Sequence, residues 1–151
     1  MSKGKTANES KLKSEIIKIL DLLLGKENVE DTHGHYEFGC DIVFNVIDPF
    51  GQIRKYGIQL KDVDIDSTNI HEILGQLSVS FGHEYSLANT GRLDAIYVIT
   101  SGIISPGAEL SFKKANVGFR SIYLIDQRKM TPFLDKTTKQ SDATKNINKE
   151  T

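Results

Sequence analysis

Apolar residues recur along this chain with two different periods, and the switches between them mark out its elements. Leu12, Ile16, Ile19, Leu20 and Leu23 fall three or four residues apart, the spacing that lays one apolar stripe along a helix. They predict an amphipathic helix over 11–24, with Gly25 standing where a residue of positive φ ends the helix. The run from Asp41 to Ile47 (DIVFNVI) is dense in β-branched and aromatic residues, DPFGQ carries turn chemistry, and IRKYGIQLK at 53–61 reads as a return strand. Together they predict a β-hairpin. Ile70, Ile73, Leu74, Leu77 and Phe81 share one helical face across 69–81, although Gly75 inside it costs about 1 kcal/mol relative to alanine. DAIYVIT at 94–100 is a nearly continuous apolar run, as in a central strand covered on both faces. Ser105-Pro106 supplies a cap and a pre-set first position for a helix over 106–116, which ends near Val117-Gly118. SIYLID at 121–126 is the last strand, and KMTPFL after it is read as a short closing turn.

The predicted order is α-β-β-α-β-α-β. A hairpin followed by β-α-β crossovers implies an α/β fold, a central mixed sheet flanked by helices. Residues 1–10 and 137–151 are polar and poor in large apolar groups, so they are expected to be flexible tails around one domain over 11–136.

Composition narrows the function classes. With 151 residues, 38% hydrophobic and 26% charged, the chain has the make-up of one globular domain. No apolar run approaches the roughly 18 residues of a membrane span, and the N-terminus lacks the apolar stretch of a signal peptide. A cytoplasmic location without membrane partners is the expectation. The single cysteine, Cys40, excludes an internal disulfide and a zinc ribbon, so a metal site would use oxygen or nitrogen ligands. A net charge of −1 and a pI near 6.4 run against a broadly basic nucleic-acid surface. Local clusters, or a divalent cation held where carboxylates converge, can supply the missing positive charge.

The residues with most chemical content lie on the hairpin. Side chains alternate along a strand, so Gln59 and Lys61 project from one face and Ile58 and Leu60 from the other. In a hairpin the start of one strand lies beside the end of the next, which brings Asp41 to that Gln/Lys pair. A carboxylate and an amide oxygen are hard ligands suited to Mg²⁺, with the Leu60 backbone carbonyl as a further ligand. A metal so held polarises a phosphodiester and activates water, and Lys61 offsets the charge that builds on the phosphate.

Gly39-Cys40-Asp41 followed by Ile58-Gln59-Leu60-Lys61 resembles the GxD…QxK form of the PD-(D/E)xK nuclease superfamily, particularly its Mrr-like restriction endonuclease branch. Val98-Ile99-Thr100-Ser101-Gly102, Ser105-Pro106-Gly107-Ala108 and Ile122-Tyr123-Leu124-Ile125-Asp126 are similar to later parts of that branch, so the likeness covers about 12–134. The resemblance implies a restriction-endonuclease-like fold and a Mg²⁺-dependent (or Mn²⁺-dependent) endodeoxyribonuclease. It also implies a homodimer and a separate DNA-reader domain or subunit. It adds an acidic residue on the first helix, best matched by Glu15 and less well by Glu9, and points to Glu37 before the Gly-x-Asp. Gln59 stands where glutamate is usual, and Cys40 where proline is.

Plainer readings stand beside these. Asp41 is a residue type common at strand openings, and Gln59 with Lys61 could form the solvated face of an edge strand. Glu15 borders an apolar stripe, and His33 and His35 read best as a polar loop. Gln76 is either aimed at the site or a surface amide. Thr100 and Ser101 are candidate phosphate contacts or a satisfied turn. Lys113, Lys114, Arg120, Arg54 and Lys55 are candidate DNA-backbone contacts or ordinary charged surface. The competing functions are a structure-selective nuclease similar to Holliday-junction resolvases, and a catalytically inactive nuclease-fold DNA-binding or interaction module.

Overall fold

The computed structural model describes residues 7–34, 39–83, 85, 93–115 and 121–135. Helix α1 (Ala7–Leu24) carries the first apolar stripe and ends at Gly25, whose φ of 89° few other residues adopt comfortably. A 3₁₀ turn (Lys26–Asn28) leads into a short strand β1 (Val29–Asp31), followed by β2 (Ile42–Ile47) and β3 (Ile53–Lys61). Helix α2 (Ile70–Gly82), strand β4 (Ala95–Thr100), helix α3 (Pro106–Ala115) and strand β5 (Ser121–Ile125) follow. A last helix, α4, covers 127–135.

The five strands form one mixed sheet in the order β1-β2-β3-β4-β5. β1 and β3 run antiparallel to β2, whereas β4 runs parallel to β3 and β5 parallel to β4. The sheet therefore changes character at β3, which is hairpin partner on one side and crossover partner on the other. On one face Val43, Ile96 and Val98 pack with Ile70, Ile73, Leu77 and Phe81 of α2 and with Ala108 of α3. On the other, Ile42, Phe44, Ile58, Leu60 and Ile99 pack with Leu12, Ile16 and Leu20 of α1 and with Met130 of α4. This is an α/β sheet flanked by helices, and β4 is covered on both sides as its unbroken apolar run implied.

The hairpin turn is set by Asp48. Its carboxylate accepts hydrogen bonds from the N–H groups of Phe50 and Gln52, both at 2.9 Å, and Gly51 takes φ 80°. The resulting register pairs Ile42 with Ile58 and Ile47 with Ile53.

Three features depart from the sequence reading. Helix α1 starts at Ala7, inside the stretch 1–10 expected to be a tail. β1 has no sequence signal of its own; it is fixed by a salt bridge from buried Lys13 of α1 to Asp31. The segment read as a closing turn is helix α4. Asp126 caps it by accepting from the N–H groups of Arg128 at 3.0 Å and Lys129 at 3.3 Å. The other oxygen of Asp126 accepts from Ile104 N–H at 3.2 Å and the Arg128 guanidinium at 2.7 Å, which ties α4 to the loop after β4. Burial alone would raise the Asp126 pKa, but the hydrogen bonds from Arg128, Ile104 and Lys129 outweigh it and hold the carboxyl below its ordinary value. The expected tail 137–151 and the helix end near Val117-Gly118 lie outside the described residues.

Candidate functional site

β2 starts at Ile42, paired with Ile58, so β3 runs on three residues past the end of that ladder. Asp41 sits at this step. Its N–H donates to Ile58 O at 2.8 Å, and its carboxylate accepts from Leu60 N–H at 2.8 Å, taking over the place of the next ladder partner. One carboxylate oxygen is thereby fastened to the residue between Gln59 and Lys61. The Leu60 carbonyl projects toward the same side, because N–H and C=O of one residue in a strand point the same way.

Several contacts outside the strands hold Asp41 there. The Thr32 hydroxyl, buried, donates to Cys40 O at 2.7 Å, and Thr32 N–H donates to Asp41 O at 3.2 Å. Cys40 N–H donates to the Tyr85 hydroxyl at 2.9 Å, and that hydroxyl donates to Ser80 O of α2 at 3.2 Å. Burial, the largest influence, pushes the Cys40 thiol up to about 12, so the side chain acts as a packing group and not as a nucleophile. Gly57 makes room for it: a Cβ there would lie 2.3 Å from Cys40 Sγ.

Gln59 and Lys61 share the sheet face that looks toward α2. Lys61, half-buried, donates from Nζ to Gln76 Oε1 at 2.9 Å. Gln76 is thus aimed at the site, which decides between its two sequence readings. Gln59 is 3% exposed and β3 is flanked by β2 and β4, so the solvated edge-strand reading of the Gln/Lys pair is excluded. Asp41, Gln59 and Lys61 lie at one end of the sheet, with the Asp41 carboxylate fastened to Leu60 between the other two.

The remaining candidates are spread more widely. Glu15 lines a depression of about 570 Å³ together with Lys11, Asp62, Asp64, Ser101 and Gln127, a lining that does not contain Asp41, Gln59 or Lys61. Thr100 is completely buried; its hydroxyl donates to Val63 O and accepts from Gly102 N–H. It therefore holds the turn after β4, and its expected phosphate contact is not available from this position. Ser101 donates its hydroxyl to Asp62, and its N–H donates to Lys61 O at 3.0 Å, so it edges both the depression and the end of β3. Lys113 and Lys114 occupy the last turn of α3, a helix that returns antiparallel to β4. Seven and eight residues of helix place them about 11–12 Å along the axis from Pro106, toward the opposite end of the sheet from Lys61. Arg54 and Lys55 begin β3 and lie at that same far end. His33 is exposed in the turn after β1, with φ 53° and its N–H on Asp31, as a polar loop residue. His35, Glu37 and Arg120 lie outside the described residues.

Among the described residues no three His, Cys, Asp or Glu side chains gather as a metal-holding group. A cation here would depend on a mixed set, the Asp41 carboxylate, the Gln59 amide oxygen and the Leu60 carbonyl, completed by water and substrate. That set fits Mg²⁺, which keeps several waters and is commonly held by only one or two carboxylates plus substrate phosphate. It is a poor set for softer metals, which favour sulfur or imidazole.

Sequence reasoning missed Thr32 and Tyr85, which position the Cys40-Asp41 backbone. Neither carries a signal that pattern alone would raise, since both act through backbone groups distant in sequence. No helix among the described residues is long and apolar enough to cross a membrane. Compared with protein-family models, curated proteins and solved structures, the chain matches none of them.

Proposed function

We propose that this chain is a metal-dependent endodeoxyribonuclease of the Mrr-like restriction type, hydrolysing phosphodiester bonds at Asp41, Gln59 and Lys61. The observation that carries the reading is the hydrogen bond from Leu60 N–H to the Asp41 carboxylate. It fastens an acid to the residue between an amide and an amine that follow it by 18 and 20 residues in the chain.

Asp41, Gln59 and the Leu60 carbonyl would hold Mg²⁺ or Mn²⁺, which when bound supplies a Lewis acid for the phosphoryl oxygen and a more acidic water. Lys61 projects beside them, its ammonium group steadied by Gln76. From there it donates to the attacking water or to a non-bridging phosphate oxygen and offsets the charge that develops in the transition state. The burial of Gln59 keeps its amide in a fixed orientation and keeps bulk water from the inner wall of the site. The local cation and Lys61 together supply positive charge that the overall composition lacks.

Supercoiled plasmid incubated with Mg²⁺ or Mn²⁺ tests the reading. Wild type is expected to nick or linearise it, and Asp41→Ala and Lys61→Ala are each expected to lose about 100-fold or more of the rate, the scale on which removing one transition-state donor acts. Cleavage that persists in both variants would assign the activity elsewhere. Absence of both cleavage and calorimetric metal binding in the wild type would leave a non-catalytic module. A four-way junction cut in preference to plasmid would move the assignment to a structure-selective nuclease.

A further inference from the structure

The two edges of the sheet are treated differently. β1 is three residues long, carries Glu30 and Asp31, and is tied to α1 by Lys13; short length and charge are the usual means by which an edge is protected from pairing. β5 (SIYLI) is five residues long with no charge and no proline, and no described strand pairs with its outer side. The groups that face outward follow from the register. Ser101 N–H donates to Lys61 O, so the odd-numbered residues of β4 face β3 and the even-numbered ones face β5. Residues 121, 123 and 125 then face β4, and the N–H and C=O groups of Ile122 and Leu124 point out of the sheet. The side-chain amine of Lys129 reaches Leu124 O only at 3.5 Å and is exposed, so it is easily displaced.

We propose that β5 is a self-association edge, pairing antiparallel with β5 of a second copy of this chain across a twofold axis at Tyr123. In that register Ile122 exchanges two hydrogen bonds with the partner's Leu124, and Leu124 two with the partner's Ile122. Tyr123 faces the partner's Tyr123 as a non-hydrogen-bonded pair, with Cα atoms about 4.5 Å apart. No other twofold register overlaps all five residues. Because the strand is uncharged, no like charges oppose each other across the axis, and a self-complementary patch is what such symmetry requires. Tyr123 also ends a row of rings across the sheet. Phe44–Tyr56, Tyr56–Tyr97 and Tyr97–Tyr123 have centroid separations of 5.3, 6.0 and 5.1 Å, and Tyr123 is 48% exposed at the open end. A second copy continues that row. Two five-residue strands bury less than the roughly 1,200 Å² of a standard interface, so the dimer is expected to be weak and concentration-dependent.

Sedimentation of the full chain over a range of concentrations, together with two cysteine variants under mild oxidation, tests the proposal. Tyr123→Cys is expected to form a covalent dimer. Ser121→Cys is expected not to, because its two copies lie about 14 Å apart along the paired strands, beyond disulfide reach. Buried Cys40 gives no competing crosslink. Tyr123→Lys, a change at a half-exposed position, is expected to abolish the concentration-dependent association. A wild type that stays monomeric, association unaffected by Tyr123→Lys, or equal crosslinking at positions 121 and 123 would each overturn the proposal. None of these readouts depends on nuclease activity.

Discussion

Replacing Gly57 by alanine tests whether the room around Cys40 is as tight as the geometry says. The new methyl would lie 2.3 Å from Cys40 Sγ and 2.7 Å from Leu93 Cδ1, whereas non-bonded heavy atoms rest near 3.5–4.0 Å. Both neighbours are buried, and Cys40 N–H is held by Tyr85, so the sulfur has to retreat by about 1 Å or more against packed surroundings. Overpacking of this kind costs about 1–3 kcal/mol, offset by about 0.5–1 kcal/mol because glycine is itself unfavourable in a strand. Gly57→Ala is therefore expected to lose about 1–2 kcal/mol net. Cys40→Ala deletes one buried atom and is expected to cost about 1 kcal/mol. In the double variant the methyl occupies the space that the sulfur left, so its loss should fall short of the summed single losses by about 1 kcal/mol or more. Urea unfolding of the four proteins at constant m-value measures this coupling. Additivity within about 0.5 kcal/mol would refute the claim that Gly57 exists to seat Cys40, and with it the account of how the residue before Asp41 is placed.

Asp126→Ala is expected to cost about 2–4 kcal/mol, the loss of a helix cap plus a buried Ile104 N–H left without its acceptor, read as a lower urea midpoint. The Asp126 pKa is depressed in the folded state. Its contribution is therefore complete above the ordinary carboxylate value and is lost as pH falls through the lower one. Unfolding measured from pH 7 into the acid range should show less acid sensitivity in Asp126→Asn than in wild type. Tyr85→Phe is expected to cost about 1–3 kcal/mol, because buried Cys40 N–H loses its acceptor. Gln76→Leu should leave the unfolding midpoint within about 0.5 kcal/mol of wild type while lowering plasmid cleavage several-fold, since it removes the group that orients Lys61. A variant that is unchanged in cleavage would make Gln76 a bystander.

Sequence pattern located the long elements well because their apolar periods are strong: the stripes of α1 and α2, the hairpin, and the run at β4 all reappear within a few residues. β1 was invisible because three residues hold too little pattern; its strand state comes from Lys13 of α1 and from pairing with β2. α4 was read as a turn because Pro132 breaks helical propensity, yet Asp126 at its start and Met130 in the core fix it. At the site, alternation and hairpin geometry sufficed to bring Asp41 beside Gln59 and Lys61. They could not tell a buried strand from an exposed one, since that depends on β4, which pairs with β3 from beyond α2. Thr100 misled for a similar reason: a hydroxyl at a strand end looks available until the loop carrying Val63 closes over it.

The turn at Asp48–Gln52 lies at the opposite end of the hairpin from Asp41, about 20 Å away over the six residues of β2. It nevertheless governs which side chains the site receives. Inserting or deleting a single residue there, if the slip carried through the strand, would rotate β3 by half a pleat and hand Asp41 the apolar neighbours Ile58 and Leu60 in place of the amide and the amine. Mutational tolerance in this loop should accordingly be judged by length before chemistry: substitutions that spare Asp48 and Gly51 keep the phase of the strand, and changes in residue count do not.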